Sequence, residues 1–141
     1  MKRRRRTEIL IQGNINLAKQ LAQEIIDRYP VREISPPEYG LTMLKMRETA
    51  KNSLFYMGEV LMTEAKAEIN QQIGIGMVIG MQEELAKHLA VIDAAYKAEL
   101  PETKTWEELL LQEEERIYKD KVKQQQEILK TKVDFDTMDV Q

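Results

Sequence analysis

The change of period at Gly80 constrains this chain more than any other feature of its sequence. In the stretch leading to Gly80, from Phe55 on, the side chains alternate, and after it the apolar ones recur every three to four residues. Phe55 to Ile69 reads as a strand: Glu64, Lys66 and Glu68 fall on one face, and Ala65, Ala67 and Ile69 on the other. Glu, Ala and Lys also favour helix, so a helix over Glu59 to Ile69 is the alternative. The polar link Asn70-Gln71-Gln72 into the β-branched run Ile73 to Ile79 favours the strand, because the two segments then form a hairpin. Past Gly80, Leu85, Leu89, Ile92 and Tyr96 define a helical stripe, widened by Ala86 and Ala90 and ending near Leu100-Pro101.

The flanks complete an α+β pattern. Thr7 to Arg28 carries Leu10, Leu17, Leu21 and Ile25 on one helical face, with Thr7 as N-cap. Gly13 weakens that helix by about 1 kcal/mol relative to Ala. Val31 to Ile34 suits a short strand, Pro36-Pro37 punctuates, and Tyr39 to Arg47 suits a buried strand closed by a turn at Lys51-Asn52-Ser53. Thr105 and Glu108 have the spacing of a capping box. They open a helix from Trp106 to about Thr131, with Leu111, Tyr118, Val122 and Leu129 on one face. The expected architecture is an N-terminal helix, a small mostly antiparallel sheet with a central hairpin, and two C-terminal helices. Residues 7–131 form the single domain, between a basic flexible N-terminus (1–6) and an irregular C-terminal tail (132–141).

Composition removes whole classes of chemistry. Without cysteine there are no disulfides, thiolate metal sites, Fe–S ligation or cysteine nucleophiles. No run approaches the ~18 apolar residues that span a bilayer. The apolar stretch after Lys2–Arg6 is broken by Gln12, Gly13 and Asn14, so it makes no signal peptide, and a cytoplasmic location is expected. Net charge is −3; Lys2 to Arg6 contribute +5, which leaves −8 for the rest. An acidic body lacking interleaved aromatic and basic residues makes a poor nucleic-acid surface, and the basic run reads as a solvated terminus.

The remaining chemistry-bearing residues do not converge. Gly74, Gly76 and Gly80 follow G-x-G-x-x-x-G, one residue too long for a dinucleotide fingerprint and without the G-K-[ST] of a P-loop. They read as strand glycines allowing close backbone approach, followed by a turn glycine. His88 is the only histidine; Glu84 shares its face, and one histidine with scattered carboxylates does not make a zinc site. Glu59 and Glu64 are an odd number apart on a strand and so face opposite ways. Asp134 and Asp136 lie near the end, and no serine has an oriented base. The glycine-punctuated middle, Phe55 to Ala95, is expected to pack and dock.

Three ordered motifs carry a family resemblance: Phe55-Tyr56-Met57-Gly58-Glu59-Val60-Leu61-Met62-Thr63-Glu64-Ala65, then Gly74 to Gly80, then Ala90-Val91-Ile92-Asp93-Ala94-Ala95. Together with Pro37-Glu38-Tyr39-Gly40-Leu41 and the terminal Val133-Asp134-Phe135-Asp136-Thr137-Met138, they resemble the PhnG family, the G subunit of the bacterial phosphonate carbon–phosphorus lyase system. The chain departs from that pattern at Glu48 to Asn52, at Glu64 and Gly80-Met81-Gln82 where arginines are common, and at Asp136.

The resemblance implies an accessory subunit that works with an I-type subunit and the other subunits of that system as an obligate hetero-oligomer. The complex makes α-D-ribose 1-methylphosphonate 5-triphosphate from ATP and a phosphonate, on the way to C–P bond cleavage. The chemistry is expected in the I-type subunit, with no catalytic, cofactor-binding or metal residue in this chain; ATP is a substrate of the complex. The docking candidates are Gly58, Glu59, Thr63, Gly74, Gly76, Gly80, Asp93, Val133, Asp134, Phe135, Thr137 and Met138. The rival expectation is a free-standing nucleotide-binding enzyme using the Gly74–Gly80 turn.

Overall fold

A computed structural model describes residues 1–47 and 54–139. Seven elements follow one another: α1 (Arg3–Gln12), α2 (Ile15–Arg28), β1 (Arg32–Arg47), β2 (Leu54–Ile69), β3 (Gln72–Ile79), α3 (Glu83–Lys97) and α4 (Glu102–Asp139). The strands make an antiparallel sheet in the order β1-β2-β3. This is the expected α+β architecture, with strand rather than helix over Glu59 to Ile69. Asn70 and Gln71 both have positive φ, 49° and 66°, which closes β2 and β3 as a two-residue hairpin with Ile69 paired to Gln72.

Helix α3 is the centre of the molecule. Every residue from Leu89 to Ala95 is buried, so the helix is covered on all sides rather than along one stripe. The sheet lies against one side of it, through Ala65, Ala67, Ile69 and Val78; α2 lies on another, through Ala18, Leu21, Ala22 and Ile25. The first turns of α4 supply Trp106 and Leu110, both fully buried. Trp106 meets Tyr96 edge to face, with ring centroids 5.8 Å apart, and its indole N–H donates to Glu24 at 3.1 Å.

Several boundaries differ from the sequence expectations. The helix expected over Thr7 to Arg28 is two helices, broken at Gly13-Asn14. A Cβ on Gly13 would sit 2.7 Å from Glu113 Oε1 on α4, and the Asn14 side chain caps α2 by accepting from the Asn16 N–H at 2.9 Å. Residues 3–6, expected to be flexible and solvated, form the first turn of α1, and Arg6 is buried. Pro36-Pro37 does not end a strand; it falls inside β1, where the pairing with β2 shifts register between Ser35 and Glu38. Thr105 does not open the last helix. Helix α4 starts at Glu102, just past Pro101, and the Thr105 hydroxyl donates to the Glu102 carbonyl from inside the first turn. At its other end α4 runs through the tail expected to be irregular, as far as Asp139, because Glu102 to Asp139 contains neither Gly nor Pro to break it. The turn expected at Lys51-Asn52-Ser53 lies outside the described residues.

Two parts of this fold extend past its core. Strand β3 pairs with β2 only from Met62 to Ile69, whereas β1 continues to pair out to Arg47 and Leu54. The outer halves of β1 and β2 therefore form a two-stranded ribbon beyond the third strand. Helix α4, 38 residues, is about 57 Å long. From Tyr118 to Thr131 only Val122 is even half-buried. The residues expected to share one apolar face, Leu111, Tyr118, Val122 and Leu129, do not hold the helix to the core: Leu111, Tyr118 and Leu129 are exposed, and Trp106, Leu110 and Ile117 make the contacts instead. Among the described residues, no helix is long and apolar enough to cross a membrane.

Candidate functional site

The glycines of β3 touch the helix that follows them. A Cβ on Gly74 would lie 2.2 Å from both the Ala90 carbonyl oxygen and the Ala94 nitrogen, and one on Gly76 would lie 2.0 Å from the Ala86 carbonyl oxygen. Alanines at 86, 90 and 94, one turn apart, and glycines at 74 and 76, two apart, bring helix and strand backbones together. The space a phosphate would need at Gly74 and Gly76 is filled by this chain's own α3. Gly80 alone sits in a turn, at φ 86°, a conformation that side chains rarely adopt.

Thr63 holds that turn. It is fully buried; its hydroxyl donates to the Gly80 carbonyl and accepts from the Gln82 N–H at 3.1 Å. The Gly80 N–H donates to the Leu61 carbonyl at 2.7 Å. One hydroxyl thus fixes the path from the last strand into α3, which sets where that helix lies across the sheet.

Asp93 gathers the charged residues of this end. Its side chain is 3% exposed, and Oδ2 accepts from the Ile75 N–H at 2.9 Å. Arg3 lies 3.2 Å and Arg6 3.5 Å from Oδ1, and Lys97 lies 3.3 Å from Oδ2. The Arg6 guanidinium stacks over Tyr96, 4.0 Å from the ring centroid. Burial lowers the affinity of Arg6 for its proton, and Asp93 works the other way. Arg3 also donates to the Ile75 carbonyl at 3.3 Å, and Lys97 to the Ile73 carbonyl at 2.9 Å. A cleft of about 450 Å³ between α1 and β3 is lined by Arg3, Arg4, Arg6, Ile75, Met77 and Asp93, among others.

Each arginine of the basic run, Arg3 to Arg6, therefore has a carboxylate partner. Arg5 grips Glu114 of α4 through both of its carboxylate oxygens, and Arg4 pairs with Glu8 one turn on. The Arg5 pair holds the Glu114 carboxyl below its usual value, as Arg116 and the Asn14 N–H do for Glu113. Lys97, one turn beyond Asp93 on α3, is a partner that helical spacing allows, whereas Arg3 and Arg6 come from a distant part of the sequence and were not legible as partners. The signal for the arginines was a carboxylate in the apolar stretch Leu89 to Ala95, which needs cations or donors once buried.

The other sequence candidates do not join this group. Gly58, at φ 147°, marks a bulge in the outer ribbon: Leu44 pairs with Gly58 and Lys45 with Tyr56, leaving Met57 extra. Glu59 is exposed beside it, and Glu64 faces the opposite side of the sheet. Val133, Asp134, Phe135, Thr137 and Met138 lie on the last turns of α4, and their side chains are outside the described residues. His88 is half-buried, with Glu84 at 3.9 Å; burial holds its pKa below the usual value, so the imidazole is neutral near pH 7. Among the described residues, no three His, Asp or Glu side chains are grouped as metal ligands.

Among the described residues, uncovered apolar side chains include Leu41 (67% exposed) and Met43 (55%) on the ribbon, Ile79 (64%) and Met81 (67%) at and just past the end of β3, and Tyr118, Ile128 and Leu129 on distal α4. Their positions, unlike those of the Asp93 group, are suited to meeting another molecule. A family model described as phosphonate metabolism protein PhnG matches residues 1–140. No curated protein matches the chain.

Proposed function

The chain belongs to the PhnG family and takes part in phosphonate metabolism, and from that premise we propose that it is the accessory G subunit of a phosphonate-processing complex. In this reading it docks on an I-type subunit and other subunits of the C–P lyase system in the cytoplasm. The complex makes α-D-ribose 1-methylphosphonate 5-triphosphate from ATP and a phosphonate, and the partner carries the nucleosidase-like chemistry. This chain supplies surface and shape, and binds no cofactor alone.

One observation carries the reading: the ribbon and the distal half of α4 present apolar side chains on elements that the chain's own core does not reach. A two-stranded ribbon is marginal in water without a covering layer, and a helix of this length with an uncovered apolar stripe has the same need. The closed packing at Gly74 and Gly76 supports the reading from the other side, since the strand-to-helix junction holds α3 instead of a phosphate.

Co-expression with an I-type subunit tests it. One species containing both chains is expected on size exclusion; two folded chains eluting separately would overturn the proposal. ATP titrated into the isolated chain is expected to show no saturable binding at micromolar concentration.

A further inference from the structure

The two outer edges of the sheet are finished differently. In the β2–β3 hairpin, Ile69 and Gln72 close the turn as a hydrogen-bonded pair, so Ile73, Ile75, Met77 and Ile79 turn their N–H and C=O groups away from β2. Side chains take four of these eight groups, spread along the strand: Lys97 caps the Ile73 carbonyl, Asp93 and Arg3 cap both groups of Ile75, and the Gln82 amide caps the Ile79 carbonyl at 2.8 Å. The β3 edge is closed to another strand.

The same alternation fixes the β1 edge. Leu61 and Thr63 direct their backbone groups toward β3, so their partners Leu41 and Tyr39, and Met43 in the same phase, direct theirs outward. Among the described residues no side chain caps these groups. Pro36 and Pro37 blunt the edge on one side, and the bulge at Gly58 ends the regular pairing on the other. Between them Tyr39-Gly40-Leu41-Thr42-Met43 carries no charge. Leu41, Met43 and Leu61 share the face that α3 covers nearer the hairpin, and they continue it past the N-terminus of α3, where Tyr39 bonds Glu83.

We infer that Tyr39–Met43 accepts an extended strand from a partner chain, whose alternate apolar side chains extend the Leu41, Met43 and Leu61 face. This deepens the accessory-subunit reading and rests on it: the strand belongs to a different subunit. A second copy is a poorer occupant. Two-fold pairing about Leu41 would set Pro37 of each copy opposite Lys45 of the other, closing the ladder at both ends.

Amide hydrogen exchange on the full-length chain, alone and with the I-type subunit, tests the inference. Protection of the Leu41 and Met43 amides only in the complex is the expected result. Leu41→Pro removes an outward N–H without breaking the ladder to β2, and should weaken the complex about tenfold or more. Leu41→Lys, which keeps the N–H and charges the face, should also weaken it; both variants are checked for an unchanged melting profile while free. A complex formed without protection at these amides overturns the strand proposal and leaves the subunit reading standing. No complex at all overturns both. Protection in the chain alone that rises with its concentration assigns the edge to a second copy and overturns the inference.

Discussion

The two halves of β2 follow the same alternation and meet different surroundings. From Met62 to Ile69 the strand has β1 on one side, β3 on the other and α3 across its face, and Thr63, Ala65, Ala67 and Ile69 are all buried. Nearer its start, Leu61 continues the same phase yet is 37% exposed, because β3 and α3 have both ended. Alternation therefore specifies which face of a strand seeks cover, and the neighbouring elements decide whether the chain provides it. Helix α4 repeats the lesson: Trp106 and Leu110 are fully buried, and Tyr118 and Leu129 further along it are exposed.

That contrast can be tested by substitution in each region. The largest effect is expected from Gly76→Val, because a Cβ would lie 2.0 Å from a backbone carbonyl of α3, which only a shift of helix or strand can relieve. A loss of at least about 4 kcal/mol, or no folded chain, is expected on urea unfolding. A near-native midpoint would show that the contact does not hold the core. Next, Asp93→Ala leaves Arg6 buried beside Arg3 and Lys97 with no carboxylate, at a cost of about 3 kcal/mol by the same measurement.

Acid comes third. Glu102, Glu113 and Glu114 all titrate below the usual 4.5, the first through its own backbone N–H, then Tyr29 and Arg28, the others chiefly through Arg116 and Arg5. Folding raises no proton affinity at these groups, so their contribution is complete above about 4.5 and falls away as pH drops through the lower folded values. Melting temperature should accordingly fall with pH in that window. Arg5→Gln should lessen the fall, and an identical pH profile in that variant would deny Glu114 its share. The smallest effect is expected in the uncovered region: Leu129→Ser and Tyr118→Ser should change the stability of the isolated chain by less than about 0.5 kcal/mol. A larger loss would mean that distal α4 is covered within the chain after all.

The same contrast explains what could be read in advance. The hairpin, the strand phase and α3 were legible because alternation and the 3.6-residue period are local, and Gly74 and Gly76 mark close approach in any sheet. The partners of Arg3, Arg5 and Arg6 were not legible because a string of cations ordinarily stays in water, and nothing nearby in sequence shows that Asp93 and Glu114 await it. The length of α4 was underestimated because the apolar pattern fades before the helix does. The capping box at Thr105 lost to Pro101 and Glu102, which start the helix one turn earlier. What escaped the sequence was each case in which distant residues, or none, decide the outcome.

The contacts of α1 also set an order of assembly. Arg6 needs Asp93, 87 residues downstream by numbering, and Arg5 needs Glu114, a separation of 109. As the chain is synthesised, Arg5 and Arg6 precede their partners by a long way, while the β2–β3 hairpin and α3 can close on one another through neighbours in sequence. Complete docking of α1 therefore waits for α3 and for the part of α4 that carries Glu114. The ion pairs of α1 thus close the fold late, joining its first helix to carboxylates about 90 to 110 residues further along the chain.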